Sequence, residues 1–199
     1  MITPPVQDQR EILQQCLTDP LIHLSLEKRF PTACAGKWLV IDLTQSIVTL
    51  LSSSSTSTQP ARIWSHQPFS PDALRVLLTL LRFPDICPHA YLLAALQAPE
   101  SLLITMLTEA SGPLPLTFYQ MAENATGLLQ GAVGQRREQH LRHLRRVMTH
   151  VIAGAKHLRF TIMSLRVVGY RLQPTFTQED LLSENSTSHH LNEWKEIGG

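Results

Sequence analysis

The stretch QRREQHLRHLRRVMTHVIAGAKHLRFTIMSLRVVGYRL, Gln135 to Leu172, decides the reading of this chain. Its first half has the spacing of an amphipathic helix. Leu141, Leu144, Met148, Val151 and Ile152 project to one side, while Gln139, Arg142, His143, Arg146 and His150 project to the other. One side is core and the other is cationic, and Gly154 is expected to cap the helix after Ala153. From Leu158 the period changes. LRFTIMSLRVVGYRL is β-branched and basic, which predicts a closing β-hairpin over 158–172 with its turn near Arg166 to Gly169.

Charge singles out the same stretch. Between Arg136 and Arg171 there are nine basic residues and one acid, Glu138, whereas the rest of the chain carries 8 basic and 15 acidic residues. The net +1 of the 199 residues therefore conceals a +8 block in a −7 remainder. Such a block collects polyanions, because each phosphate it neutralises releases counterions. A solvated basic helix face without a ligand has the same composition.

Outward from this stretch, the chain reads as an α+β fold. Ser70-Pro71-Asp72 is an N-cap, a proline at the first helical position and an acid in the first turn. Leu74, Leu77, Leu78 and Leu81 follow at i, i+3, i+4 and i+7, a stripe that faces a core, and Phe83-Pro84-Asp85 ends the helix. A second helix is expected from about Pro88 to Gln97, and a third, ESLLITMLTEA, between Pro99 and Ser111-Gly112-Pro113. Another is expected over FYQMAENATGLLQ, with Gly131 and Gly134 as break points. Nearer the N-terminus, WLVIDLTQSIVTLL predicts two short strands around a turn at Asp42 to Gln45, SSSSTSTQ a flexible connection, and ARIW (61–64) a further strand. These strands form a small N-terminal antiparallel sheet. Residues 1–36 read as an extension with a short helix at about Gln9 to Leu17 and an irregular stretch around Asp19-Pro20 and Phe30-Pro31. Residues 174–199 read as a polar, acidic, flexible tail.

The order sheet, helix, helix, basic helix, basic hairpin is that of a winged helix-turn-helix, and two motifs sharpen the likeness. His140-Leu141-Arg142-His143-Leu144-Arg145-Arg146 resembles the H-I-x-x-L-R-[KR] run of a recognition helix. Ile162-Met163-Ser164-Leu165-Arg166-Val167-Val168-Gly169-Tyr170-Arg171-Leu172 resembles a wing of pattern I-x-T-V-R-G-x-G-Y-R-L. Both are found in the DNA-binding domain of OmpR/PhoB-type response regulators, whose upstream helices FSPDALRVLLTLLRFPDICPHAYLLAAL also resembles. The likeness covers residues 37–173. It departs at Val167, which stands where the family has the first glycine of the wing, and at Arg137 and Gln139, which stand at apolar positions. About 28 residues, Pro99 to Thr126, replace a short loop. The resemblance implies that this loop touches RNA polymerase or another protein, so the insert is expected either to bind a partner or to pack on the core as an extra helix.

What the resemblance and the charge imply together is a transcriptional regulator that binds double-stranded DNA sequence-specifically, with the helix at 135–153 in the major groove and the hairpin as wing. Arginine pairs bidentately with guanine, and glutamine or histidine reaches other base edges. The expected contacts are Gln135, Gln139, Arg142, His143 and Arg146 to bases or phosphates, and Arg145 to a phosphate. Arg166 suits the minor groove, and Ser164, Tyr170 and Arg171 suit the backbone. His140 is carried over from the family motif. The arrangement is compatible with a homodimer. The competing readings are a winged-helix module that binds a protein through 99–126 without reading DNA, and an RNA-binding protein.

Other classes find no support. Nucleotide-binding glycine loops, G-x-S-x-G and H-E-x-x-H are absent, so no enzyme activity and no cofactor are expected. His143, His150 and His157 repeat every seven residues, but no cysteine or acid completes a zinc set, and no metal is expected. Cys16, Cys34 and Cys87 form no C-x-x-C pair and read as core or incidental thiols. No run of about 18 apolar residues occurs, and the first residues lack the apolar segment of a signal peptide, so a cytoplasmic protein without a membrane contact is expected. A receiver domain has no room beside these elements, and phosphorylation control is not expected.

Overall fold

The alternating run after Gly36 builds the first sheet. In a computed structural model, which describes residues 12, 21–52, 62–83, 85–108, 112–131, 135–166 and 168–177, β2 (Lys37–Asp42) and β3 (Ile47–Ser52) form an antiparallel hairpin. Its turn is where the sequence puts it: Asp42 Oδ1 accepts a hydrogen bond from the Gln45 amide at 2.9 Å, and Ser46 takes φ 56°. β1 (Ile22–Ser25) and β4 (Arg62–Pro68) flank the pair, giving the antiparallel order β1-β2-β3-β4. Leu24, Leu39, Ile41, Val48 and Leu50 turn inward to the main core, while Val40, Leu51 and Ile63 form a small outer cluster with Ile12 and Leu21.

The helical predictions are largely met. α1 (Pro71–Arg82) begins at the expected cap, where Ser70 Oγ accepts from the Ala73 amide at 3.3 Å, and it buries the four predicted leucines. It also buries Ala73, Val76, Thr79 and Leu80, because elements cover it on more than one side. A two-residue strand, β5 (Cys87–Pro88), precedes α2 (His89–Gln97), α3 (Glu100–Thr108) and α4 (Leu116–Gly131). α5 (Gln135–His157), β6 (Phe160–Leu165) and β7 (Gly169–Pro174) follow, and β5-β7-β6 form a second antiparallel sheet. The architecture is mixed α+β.

α3 and α4 are docked on the rest of the fold. Ala94, Ala95, Ala98, Leu103, Met106, Phe118 and Ala122 make a second apolar cluster among α2, α3 and α4, with the Tyr91 and Phe118 rings stacked at 6.1 Å. Three arginines bind carbonyls at helix ends or between α3 and α4. Arg29 donates to Leu81 O at 2.8 Å and Leu107 O at 3.1 Å, Arg82 to Gly112 O at 2.6 Å, and Arg75 to Ala98 O. Cations there satisfy acceptors that a helix C-terminus leaves unpaired and oppose its negative dipole end. Burial, reinforced by Arg82, lowers the Arg29 pKa to about 10, so the side chain stays charged at neutral pH.

Four expectations are corrected. β1 lies within the presumed extension 1–36, and Leu26 and Cys34 behind it are fully buried; a four-residue strand held by backbone pairing to β2 is too short to announce itself by periodicity. β4 runs on to Pro68 as an edge strand, with His66 exposed and Ser65 and Gln67 half-buried, a mixed pattern that shows no clean alternation. Gly154 does not cap α5. It lies inside the helix, where a Cβ would overlap the Phe69 ring, and Arg159 at φ 62° makes the left-handed exit instead. Ile152 is exposed, and Val147 takes its place in the core: a helix turns about 100° per residue, which carries Ile152 off the Leu144–Met148–Val151–Ala155 stripe. Of the expected core thiols, Cys34 and Cys87 are buried, and burial pushes the Cys34 thiol up to about 12. Cys16, the helix near Gln9 to Leu17 apart from Ile12, the serine-rich connection after Ser52 and the tail beyond Thr177 lie outside the described residues.

Gly169 shows how closely the two ends of this unit meet. It pairs with Pro88, and a Cβ on it would overlap the Cys87 carbonyl, whereas a Cβ on Gly127 meets nothing within 4 Å. Gly169→Ala should therefore destabilise the fold by about 3 kcal/mol, while Gly127→Ala, in the middle of a helix, should stabilise it by about 0.5–1 kcal/mol. Urea unfolding midpoints of the two variants check the opposite signs.

Candidate functional site

α5 packs on α1, β4 and β6, and this contact orients its polar side. Leu144, Val147, Met148, Val151 and Ala155 are buried beneath it. On the opposite side Gln139, Arg142 and Arg146 are exposed in one row, and among the described residues no carboxylate pairs with either arginine. The flanks differ. His143 Nε2 lies 3.7 Å from Asp72 Oδ2 in the first turn of α1, with both side chains about half exposed. On the other flank Arg145 Nη1 lies 3.4 Å from Glu138 Oε1, a solvated pair of little energetic weight.

The hairpin stands beside this second flank. Leu165 and Gly169 close its turn, the Val168 amide donates to Leu165 O at 2.9 Å, and Arg166 is exposed at the tip. Phe160 and Ile162 are buried toward the core, so Ser164, next in the same alternation, faces the α5 side near the open end. Tyr170, opposite Ser164, is only 8% exposed and sets its ring edge-on to His89 at a centroid distance of 5.4 Å.

Between α5, the hairpin and the ends of α2 and α4 runs a groove of about 640 Å³. Arg137, Arg145, Arg166, Gln130, Ser164 and His89 supply its polar wall, and Leu129, Leu141, Leu144 and Tyr170 its apolar one. Burial first, and then Arg145, hold the His89 imidazole below its usual pKa. No group of three or more metal-ligating side chains occurs among the described residues.

Of the residues singled out from the sequence, Gln139, Arg142 and Arg146 share the open face of α5, and Arg145, Ser164, Arg166 and Tyr170 meet at the groove. His140 is half-buried, His143 leans to Asp72, and Gln135 opens α5, its side chain lying outside the described residues. Arg171 does not join the others. Strand alternation turns it to the opposite side of the hairpin, where it lines a separate hollow with Arg29 and Asp85. Tyr170, expected at a phosphate, is chiefly a packing residue. Three polar groove residues, His89, Gln130 and Arg137, are not among the contacts expected from the sequence. Arg137 was visible as a cation on the apolar stripe four residues before Leu141, whereas His89 reaches the groove only through the β5–β7 pairing, which local pattern does not encode.

Comparison with known protein families, curated proteins and solved structures finds no match for this chain.

Two histidines couple this region to pH. His89 and His66, the latter 2.8 Å from Thr49 Oγ1, both have pKa values lowered chiefly by burial. The unfolded chain binds protons more readily than the fold does at these sites. Their contribution to stability is thus present above the unfolded pKa of about 6.5 and lost as pH falls toward the folded values. The urea midpoint should drop between about pH 7 and 5, and His89→Gln should flatten that slope.

Proposed function

We propose that the chain is a winged-helix protein that binds double-stranded DNA sequence-specifically and regulates transcription. The observation that carries this reading is the row Gln139, Arg142 and Arg146 on the open face of α5, where neither arginine has a carboxylate partner among the described residues, beside a hairpin with Arg166 at its tip. A helix enters the major groove of B-DNA, about 12 Å wide, with its exposed side chains on base edges. In this reading Arg142, Arg146 and Gln139 meet base edges, Arg145 and Ser164 meet phosphates, and Arg166 follows the narrow, negative minor groove. The succession of four strands, α1, β5, α2, α5 and a hairpin agrees with the layout that the sequence motifs suggest, with α3 and α4 as an insertion.

A second reading has its own support. Leu116 and Tyr119, 71% and 45% exposed on α4, present apolar surface on the inserted helices, as a protein-binding module would.

A salt titration of duplex binding separates the two. Affinity should fall steeply with salt, with a logarithmic slope of about −0.9 per phosphate contacted. Arg142→Ala/Arg146→Ala should weaken specific binding by at least about tenfold and cut the sequence preference; an arginine that proves to contact a phosphate instead reduces the slope by about one. Binding indifferent to this double variant contradicts the duplex reading.

A further inference from the structure

The groove between α5 and the hairpin has a composition that a duplex does not require. Three guanidinium groups, those of Arg137, Arg145 and Arg166, line it together with the Ser164 hydroxyl, and among the described residues no carboxylate does. Glu138, the acid paired with Arg145, is half exposed and is not among the lining residues. Gln130 adds an amide, and the rest of the wall is apolar or aromatic. The His89 and Tyr170 rings stand at 89° to each other, so that both line the groove beside Leu141 and Leu144.

A phosphodiester backbone running over a protein surface needs only the cations. A pocket with a cationic rim and an apolar, ring-bearing wall suits a ligand that combines an anion with a planar apolar body. Its volume of about 640 Å³ lies in the range of small-molecule sites, roughly 300–1,000 Å³. Arginine forks bind phosphate oxygens bidentately, and a hydroxyl adds a neutral donor. His89, held toward its neutral form by burial and Arg145, offers a flat uncharged face at neutral pH.

We infer that this groove binds a small phosphorylated compound with a planar body, of the size of a nucleoside monophosphate: the phosphoryl group lies among Arg137, Arg145 and Arg166, and the ring lies against His89 and Tyr170. This site goes beyond the duplex reading and does not depend on it. Arg145 and Arg166 belong to both surfaces, so the experiment is run without nucleic acid.

The full chain is titrated calorimetrically with AMP, adenosine and inorganic phosphate in turn. AMP is expected to bind once per chain, with adenosine and phosphate each weaker by about tenfold or more, since each offers half of the recognition. Arg145→Ala and Arg166→Ala should each weaken AMP by about fivefold or more, while Arg142→Ala, on the open face, should leave it within about twofold. These side chains are exposed, so the variants should keep the fold, which circular dichroism verifies. An independent readout is the His89 imidazole followed by NMR: a bound phosphoryl group should raise its pKa, because a nearby anion favours the protonated ring. The inference is overturned if AMP shows no saturable binding, if phosphate binds as well as AMP, if Arg142→Ala weakens AMP as much as Arg145→Ala does, or if the His89 titration is unmoved by saturating AMP.

Discussion

The apolar stripe of α5 must face inward, and most of the exposed basic surface follows from that. Leu144, Met148 and Val151 are buried at 2% exposure or less, and hiding a side chain of this size is worth about 1.5–3 kcal/mol. Rotating the helix by one residue, roughly 100°, would expose this stripe and bury arginines. The row of Gln139, Arg142 and Arg146 is thus held outward by what lies beneath it. The same contact brings β6 alongside, and β7 is tied through Gly169 to β5 at the start of α2. A helix face, a hairpin tip and the groove between them become one rigid surface.

The chain uses its basic residues in two ways. Arg29, Arg75 and Arg82 turn their guanidinium groups to carbonyls and fasten α3 and its flanking turns to the scaffold. Such bonds stabilise because each buried carbonyl would otherwise be unsatisfied. Arg142, Arg146 and Arg166 remain exposed on the outside. The separation is spatial as well as chemical: α3 packs on α1 and α4 on α2, and both leave the open face of α5 exposed. α3 and α4 carry an apolar cluster of their own around Phe118 and add Leu107 and Ala125 to the main core.

Much of this was legible in the sequence, for physical reasons that can be named. α1 was visible because a cap, a proline at the first helical position and four leucines at helical spacing agree. The turn at Asp42–Gln45 was visible because Asp42 caps it through its own side chain. The polar row of α5 was visible for the same reason as its apolar stripe. What escaped depended on partners distant in sequence. β1 exists because β2 offers it a ladder, Gly154 stays helical because Phe69 fills the space beside it, and His89 joins the groove because β5 pairs with β7. Arg171 was read from a motif as one of a set, but simple strand alternation sends it to the other side of the hairpin from Tyr170.

The central claim is that the α5 row and the hairpin tip form one face that engages one duplex. NMR of the arginine Nε–Hε groups during titration with a short duplex tests it most directly. The signals of Arg142, Arg146 and Arg166 should shift together with a common midpoint, while that of Arg171, on the far side of the hairpin, stays in place. Shifts confined to Arg171, or independent midpoints for the helix and the hairpin, would contradict the account.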